Sequence, residues 1–223
     1  MRYSILATIV AVALTGCKPA ETINTPAPSE QSVAAPISAE VIEKETARLN
    51  EWFETKYEEN LLRSPIALTF QGRPERKGEI DQMSEAALDE SLAITKANLA
   101  ELTSSFDYDK LSDGAKISYD IWVYQAKAEL ESDKYRYNSY VFEQMQAVHS
   151  FFPQLLIAFH GVTTEQDMVD FNSRVKETGR ALNQLIEFSQ LVAEKGVRPP
   201  YFAFDAVISE SKAIITGAPF TEG

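Results

Sequence analysis

With 223 residues the chain can bury one sizeable core or two small ones, and 44% hydrophobic residues is ordinary for a globular protein. A formal net charge of −12 gives a surface that repels phosphate backbones and anionic lipid, which argues against nucleic acid as a partner. The single cysteine, Cys17, excludes an internal disulfide framework and a multi-cysteine metal site.

Residues 1–16 read as a signal peptide: Arg2, an apolar run from Ile5 to Leu14, then small residues. Leu14-Thr15-Gly16-Cys17 matches the bacterial lipobox, whose cysteine becomes the lipidated first residue of the mature protein. Lipidation is therefore expected at Cys17, with membrane attachment through that anchor. The apolar run is too short to span a bilayer, so no permanent membrane helix is expected there. Lys18 rather than Asp follows the cysteine, which favours the outer membrane, with the protein facing the periplasm. Residues 17–37 are rich in Pro, Ala, Thr and Ser and carry no apolar period. They read as a flexible tether, ~25 Å from end to end as a coil.

Residues 38–223 read as a helical domain. Its first helix runs from Ala39, with Ser38 as cap, to about Leu62, and buries Ile42, Leu49, Trp52, Phe53 and Leu61. Ser64-Pro65 stops it and restarts a short helical turn, because proline is tolerated at a first helical position. Gln71 to Gln82 is polar, holds Gly72, Pro74 and Gly78, and reads as a loop. Ser84 caps the next helix, with Leu88, Leu92, Thr95, Leu99, Leu102 and Phe106 on one stripe. Another helix follows Ser112, with Ile117, Ile121, Tyr124, Ala128 and Tyr135 in register and Trp122 and Val123 thickening its face.

Tyr137 to Val148 is less regular. Phe151 to Phe159 is apolar almost throughout and contains Pro153, which predicts a short helix buried on all sides. The longest pattern spans Glu165 to Lys195, where Met168, Phe171, Val175, Thr178, Leu182, Leu185, Ser189 and Val192 recur every three or four residues. Ile186, Phe188 and Leu191 widen its second half. Thr163 or Thr164 caps the start, with Gln166 or Asp167 reaching back, and Gly196 and Pro199-Pro200 end it. Such a rod is ~45 Å long and needs other helices along it. Phe204, Val207, Ile208, Ser211, Ile214 and Ile215 mark a final helix, ended by Gly217 and Pro219. No period-2 run appears, so the fold class is all-α, an antiparallel array of long helices.

A zinc hydrolase needs two or three imidazole or carboxylate ligands on one rigid face, plus a general base. His149 and His160 are the only histidines, no His-Glu-x-x-His occurs, and Pro153 between them is expected to break the helix. His149 reads as an ordinary polar position. His160 reads as closing the helix near Gly161, where a positive side chain suits the dipole. Glu58-Glu59 and the Glu129, Glu131, Asp133 cluster read as solvated helix faces, with no apolar pocket to separate their pKa values. The run Lys134-Tyr135-Arg136-Tyr137 reads as a helix end with amphipathic tyrosines, and Trp52 and Trp122 as core. No phosphate-cradling glycine loop and no Gly-x-Ser-x-Gly elbow is present.

The order of landmarks resembles one bacterial family, catalogued as domain of unknown function 885. The matching stretches are Leu49-Asn50-Glu51-Trp52-Phe53 leading into Ser64-Pro65 and Gly72, then Leu111-Ser112-Asp113 with Ser118-Tyr119-Asp120. The strongest is Val162-Thr163-Thr164-Glu165-Gln166-Asp167, running through the long helix to Gly196-Val197-Arg198-Pro199-Pro200. Together they cover roughly Leu49 to the C-terminus. The resemblance implies an exported or lipid-anchored, helical zinc-metallopeptidase-like protein whose metal-binding His-Glu segment lies beyond Gly223. No catalytic residue and no zinc ligand carries over to this chain, so zinc is expected only in that later part.

On this reading the chain is an N-terminal helical portion that shapes a peptide cleft and is inactive alone. It arises from a broken reading frame, as a fragment of a longer chain, or as a half that pairs with a separate C-terminal half. The alternative is a stand-alone lipoprotein that binds a peptide or protein between its helices. The genomic sequence after Gly223 separates the two: a His-Glu metal motif supports the first, unrelated sequence the second. A half-protein also leaves apolar surface bare, expected on the second half of the long helix around Leu182, Leu185, Ile186, Phe188, Leu191 and Val192, and near Ile214 and Ile215.

Overall fold

Short hydroxyl side chains start most of the helices. In a computed structural model that describes residues 36–145 and 148–216, five helices carry a Ser or Thr cap whose oxygen accepts a backbone N–H of the first turn. These are α1 (Ala39–Arg63, Ser38), α2 (Pro65–Phe70, Ser64), α3 (Glu85–Ser105, Ser84), α4 (Asp113–Ser132, Ser112) and α6 (Glu165–Glu194, Thr164). The remaining two are α5 (Val148–Gln154) and α7 (Tyr201–Ile214). Each cap satisfies a donor that the helix cannot satisfy itself. Thr164 and Asp167 complete a reciprocal capping box, and Gly196 closes α6 at φ +88°. Among the described residues there is no strand, and the fold is all-α.

The chain divides into Met1–Pro36 and Ile37–Gly223. The lipobox with Cys17 lies outside the described residues, as do Gly217 and Pro219. No helix among the described residues is long and apolar enough to cross a membrane.

Two cores organise the second unit. The first gathers Leu49 and Trp52 of α1, Leu102 of α3, and Leu111 and Ala115 at the start of α4, with Phe53, Phe106, Tyr119, Trp122 and Val123 around them. Early α1, late α3 and early α4 therefore share one end, and α3 runs antiparallel to the other two. Trp52 stands edge-on to Phe53, Phe106 and Trp122, the arrangement aromatic quadrupoles prefer. The second core gathers Ile80, Phe152 of α5, Leu155 and Ala181 of α6, flanked by Ile66 of α2 and Met83.

Between the cores runs the polar segment 71–84. Gly72 turns at φ +69°, and Arg76 sits in the same left-handed region at φ 55°. Arg76 is held there by its guanidinium, which donates to the last carbonyls of α1, Leu62 at 2.8 Å and Arg63 at 3.2 Å, and to Glu79. A non-glycine residue in that region is uncommon and needs such over-determination.

Three of the expected faces turn out otherwise. On α4 the periodic stripe faces solvent, with Ile117 61% and Tyr124 74% exposed and Ile121 bare between them. The buried side carries Ala115, Tyr119, Trp122, Val123 and Ala126. Trp122 buries more surface than any isoleucine, and the two alanines let α3 approach closely.

On α6 the first half is rotated. Met168 and Val175 are exposed, and the inward line is Phe171, Arg174, Thr178 and Ala181. In its second half only Ile186 of the expected bare set is exposed, while Val192 is buried and the others half-buried. Ile214 and Ile215 are exposed as expected, and further bare apolar surface lies on α4 and along α7, where Phe202, Phe204 and Ile208 are exposed.

The segment 151–159 is not buried all round, since Phe152 and Leu155 point inward but Ile157 is 84% exposed. Nor does Pro153 break the helix. It lies inside α5, which continues as a single π turn over Leu155–Phe159 that closes with His160 N–H on the Leu155 carbonyl. A proline removes one i→i−4 bond, and a wider i→i+5 turn is one way a helix continues past it.

Candidate functional site

Early α1, late α3 and early α4 pack tightly around Trp52. Beyond that cluster a groove of about 1110 Å³ opens between the three helices. Phe53, Ile94, Ala97, Trp122 and Ala126 supply apolar lining, and Ile121 continues it onto the bare stripe of α4. Lys56, Glu59 and Arg63 of α1 and Glu129 of α4 are its charged residues. At the far end Arg63 pairs with Glu90 of α3 across 3.1 Å, and Thr95 of α3 donates to Glu129 of α4 at 3.3 Å. These ties hold the groove's walls at a set separation.

The side-chain amides of Asn60, Asn98 and Gln125 line the groove, one from each helix, without a protein partner among the described residues. Nearby, the Trp52 indole N–H donates to Glu101 at 2.9 Å, and Lys56 bridges Glu101 at 3.1 Å and Glu59 at 3.2 Å. The Trp52 hydrogen bond, then that of Lys56, holds the Glu101 carboxyl below its ordinary range. Burial opposes the charge on Lys56, but its bonds to Glu101 and Glu59 outweigh burial and raise its pKa. Both groups are therefore charged at neutral pH.

The candidates read from the sequence go to other places. Glu58 accepts both ends of Arg73, Glu59 pairs with Lys56, Glu131 with Lys134, and Asp133 with Arg136, so these carboxylates are paired helix-face residues, while Glu129 turns to the groove and accepts from Thr95. Arg136 also reaches Asp89, and Tyr137 donates to Glu85 while Lys195 covers its ring, which pins this aromatic–basic run to α3 and α6. Trp52 is core, whereas Trp122 is half-buried and faces both core and groove.

His160 closes the π turn as expected, its backbone N–H on the Leu155 carbonyl, but its ring is buried against Arg174 rather than set at the helix end. Its Nδ1 faces a guanidinium N–H of Arg174 at 3.3 Å, and its Nε2 faces the Asp167 carbonyl at 3.0 Å. Arginine has only donors, so in this contact Nδ1 is the accepting nitrogen and Nε2 the donor. Arg174 is 0% exposed. Its guanidinium also donates to the Glu79 carbonyl at 3.0 Å, the Pro65 carbonyl at 3.4 Å and the Thr69 hydroxyl at 2.7 Å. Burial lowers its pKa, with Asp81 and Asp170 nearby acting the other way. Asp167 stays ionised, its carboxyl held far below the usual range by Lys77, by the N–H and hydroxyl of Thr163, and by Thr164. Arg174 has no carboxylate on it, and four neutral acceptors take the place of a counter-ion.

A zinc ion does not fit these residues. Both nitrogens of His160 are engaged, one by a cation. His149 is buried with Nε2 at 2.8 Å from Glu210 of α7 and Nδ1 without a partner, but a pair is not a ligand set. Among the described residues no group of three or more His, Cys, Asp or Glu side chains is placed to hold a metal.

Sequence reasoning missed Arg174 and the three carboxamides. The one available signal for Arg174 was an arginine falling between apolar positions of a long helix. No match was found among curated proteins or among solved structures. A family model described as a bacterial protein of unknown function, DUF885, matches residues 65–223, well over half of the chain, and the protein belongs to that family.

Proposed function

We propose that this chain is the N-terminal, non-catalytic helical portion of an exported, lipid-anchored zinc-metallopeptidase-like protein, and that its task is to shape a peptide cleft. The observation that carries the reading is the groove between α1, α3 and α4, where apolar lining meets three carboxamides without protein partners. A peptide in extended form offers one N–H and one C=O per residue, and a side-chain amide answers both. Phe53, Ile94 and Trp122 give apolar side chains a place to dock, and charges of both signs at the groove make it tolerant of sequence. The ordered landmarks shared with the family supply the peptidase-like context. No residue of this chain is given a catalytic or zinc-binding role. The lipobox supplies the address: lipid at Cys17 and the tether hold the helical domain at the outer membrane, in the periplasm.

Titration with a short-peptide library, read by Trp122 emission and by calorimetry, tests the cleft. Saturable binding is expected, weakened about fivefold by Asn98→Leu, which removes one hydrogen-bonding group. Absence of saturable binding sinks the cleft reading. Hydrolysis by this chain alone, or one tightly held zinc per chain, overturns its non-catalytic part. Palmitate labelling of cells that express the parent and a Cys17→Ser variant tests the anchor, and equal labelling of both, or none in either, removes it.

A further inference from the structure

A second, smaller cleft of about 320 Å³, sharing no lining residue with the first groove, lies between the segment 140–142, late α6, the turn at 197–199 and α7. Val141, Phe142, Val192, Ala203, Val207 and Ile208 give it an apolar interior. Its polar lining is three side chains, Tyr140, Ser189 and Arg198, of which only Arg198 is charged. In a protein of net charge −12, the exposed Arg198 forms no ion pair among the described residues, where its one contact is to the Ala193 carbonyl at 3.4 Å near the end of α6. The hydroxyls of Tyr140 and Ser189 have no protein partner among the described residues. The cleft therefore combines an apolar interior with one cation and two hydroxyls that have no side-chain partner among the described residues.

We propose that this cleft binds an aliphatic monocarboxylate, a medium-chain fatty acid, with its carboxylate on Arg198 and its tail along α7. The cation selects an anionic head, since a guanidinium recognises a carboxylate through a fork of two donors. The volume admits a tail of moderate length: about ten water volumes, at ~30 Å³ each, accommodate a chain on the order of ten carbons. Interior chemistry separates this ligand from a peptide C-terminus of the same charge. Beyond Arg198, Tyr140 and Ser189 the lining has no polar side chain, so the successive amides of a peptide would lose water there without replacement bonds. An alkyl tail needs no such bonds. The site is separate from the α1–α3–α4 groove and does not rest on the peptide reading.

Calorimetric titration of the whole chain with decanoate below its micelle concentration tests the proposal, beside decanol and N-acetyl-leucine. One saturable site is expected, with decanoate about tenfold tighter than decanol, the contribution of one charge-assisted pair at a partly wet mouth. Arg198→Gln is expected to erase that preference and Arg198→Lys to restore part of it. Val207→Phe, which fills the interior, is expected to abolish uptake of both ligands. Any decanoate taken up by the apolar run at residues 5–14 is common to all variants and cancels in the comparison. Thermal melts of each variant separate lost binding from lost folding. If Val207→Phe does not fold, the Arg198 variants still decide. Equal affinity for decanoate and decanol, tighter binding of N-acetyl-leucine, an unaffected Arg198→Gln variant, or no saturable site overturns the proposal.

Discussion

Around Trp52 and around Arg174 the chain meets the same need, to fix three or four elements against one another, with different chemistry. At Trp52 the means are volume and ring geometry: Leu49, Leu102, Leu111 and four aromatics, with one indole hydrogen bond at the edge. At Arg174 the means are directional: one guanidinium ties α6 to α2 through Pro65 and Thr69, to the polar segment through Glu79, and to the π turn through His160. Apolar packing suits helices that meet along their lengths. Where irregular backbone must be held, its carbonyls need donors, and a planar fork with five N–H groups reaches several at once. The lesson is that a buried cation can belong to the scaffold when its acceptors, here two carbonyls, a hydroxyl and an imidazole nitrogen, come from several elements.

The strongest way to break this contrast is Arg174→Met, which keeps bulk and removes donors. It leaves the Glu79 carbonyl and the His160 Nδ1 without their donor, while the Pro65 carbonyl and Thr69 hydroxyl keep their bond to each other, and a loss of about 4 kcal/mol is expected. That is a fall of about 10 °C in Tm for a domain of this size. A neutral urea midpoint for Arg174→Met would show that the node only fills space. Next comes Leu102→Ala in the aromatic core, expected to cost about 3 kcal/mol through lost burial and the cavity left behind. If Leu102→Ala were mild while Arg174→Met were severe, the first core would be plastic and the contrast sharper.

Acid sharpens the comparison further. The Asp167 carboxyl has a folded pKa below its unfolded value, chiefly through Lys77. A depressed carboxylate contributes stability that is fully present above the unfolded pKa, about 4, and is lost as pH falls below it. Asp167→Asn should therefore flatten the acid limb of the stability curve below about pH 4, whereas Leu102→Ala should shift the whole curve without changing its shape. The smallest effect belongs to the bare stripe of α4. Ile121→Ser is expected to change stability by less than about 0.5 kcal/mol while reducing binding of the dye ANS. A large destabilisation would mean that Ile121 is covered in solution.

Much of this was legible in the residues. Caps at Ser38, Ser64, Ser84, Ser112 and Thr164, the glycine at 196 and the proline at 65 are local signals, and each acts within one helical turn of its own position. Which face of α4 turns inward was not local. Two apolar stripes compete on that helix, and the choice depends on what α1 and α3 present to it. Arg174 was hidden for a related reason. Periodicity scores an arginine as exposed, and its burial depends on carbonyls contributed from residues about a hundred positions earlier in the chain. The groove's carboxamides sit on three different helices, so no spacing rule links them.

Ser64 is both the last residue to cap α1 and the first to cap α2, and the Asp81 carboxylate accepts from its hydroxyl at 2.6 Å and from the Ile66 N–H at 2.9 Å. The two helices are thus joined by a single-residue elbow with no slack. One consequence concerns length. A residue added at this elbow would separate Pro65 from its Ser64 cap and shift α2 along the chain, carrying the Pro65 carbonyl and Thr69 hydroxyl away from the fixed guanidinium of Arg174. Longer loops elsewhere can absorb insertions, but this corner is counted to the residue, and a one-glycine insertion after Ser64 should cost as much in a urea melt as losing Arg174 itself.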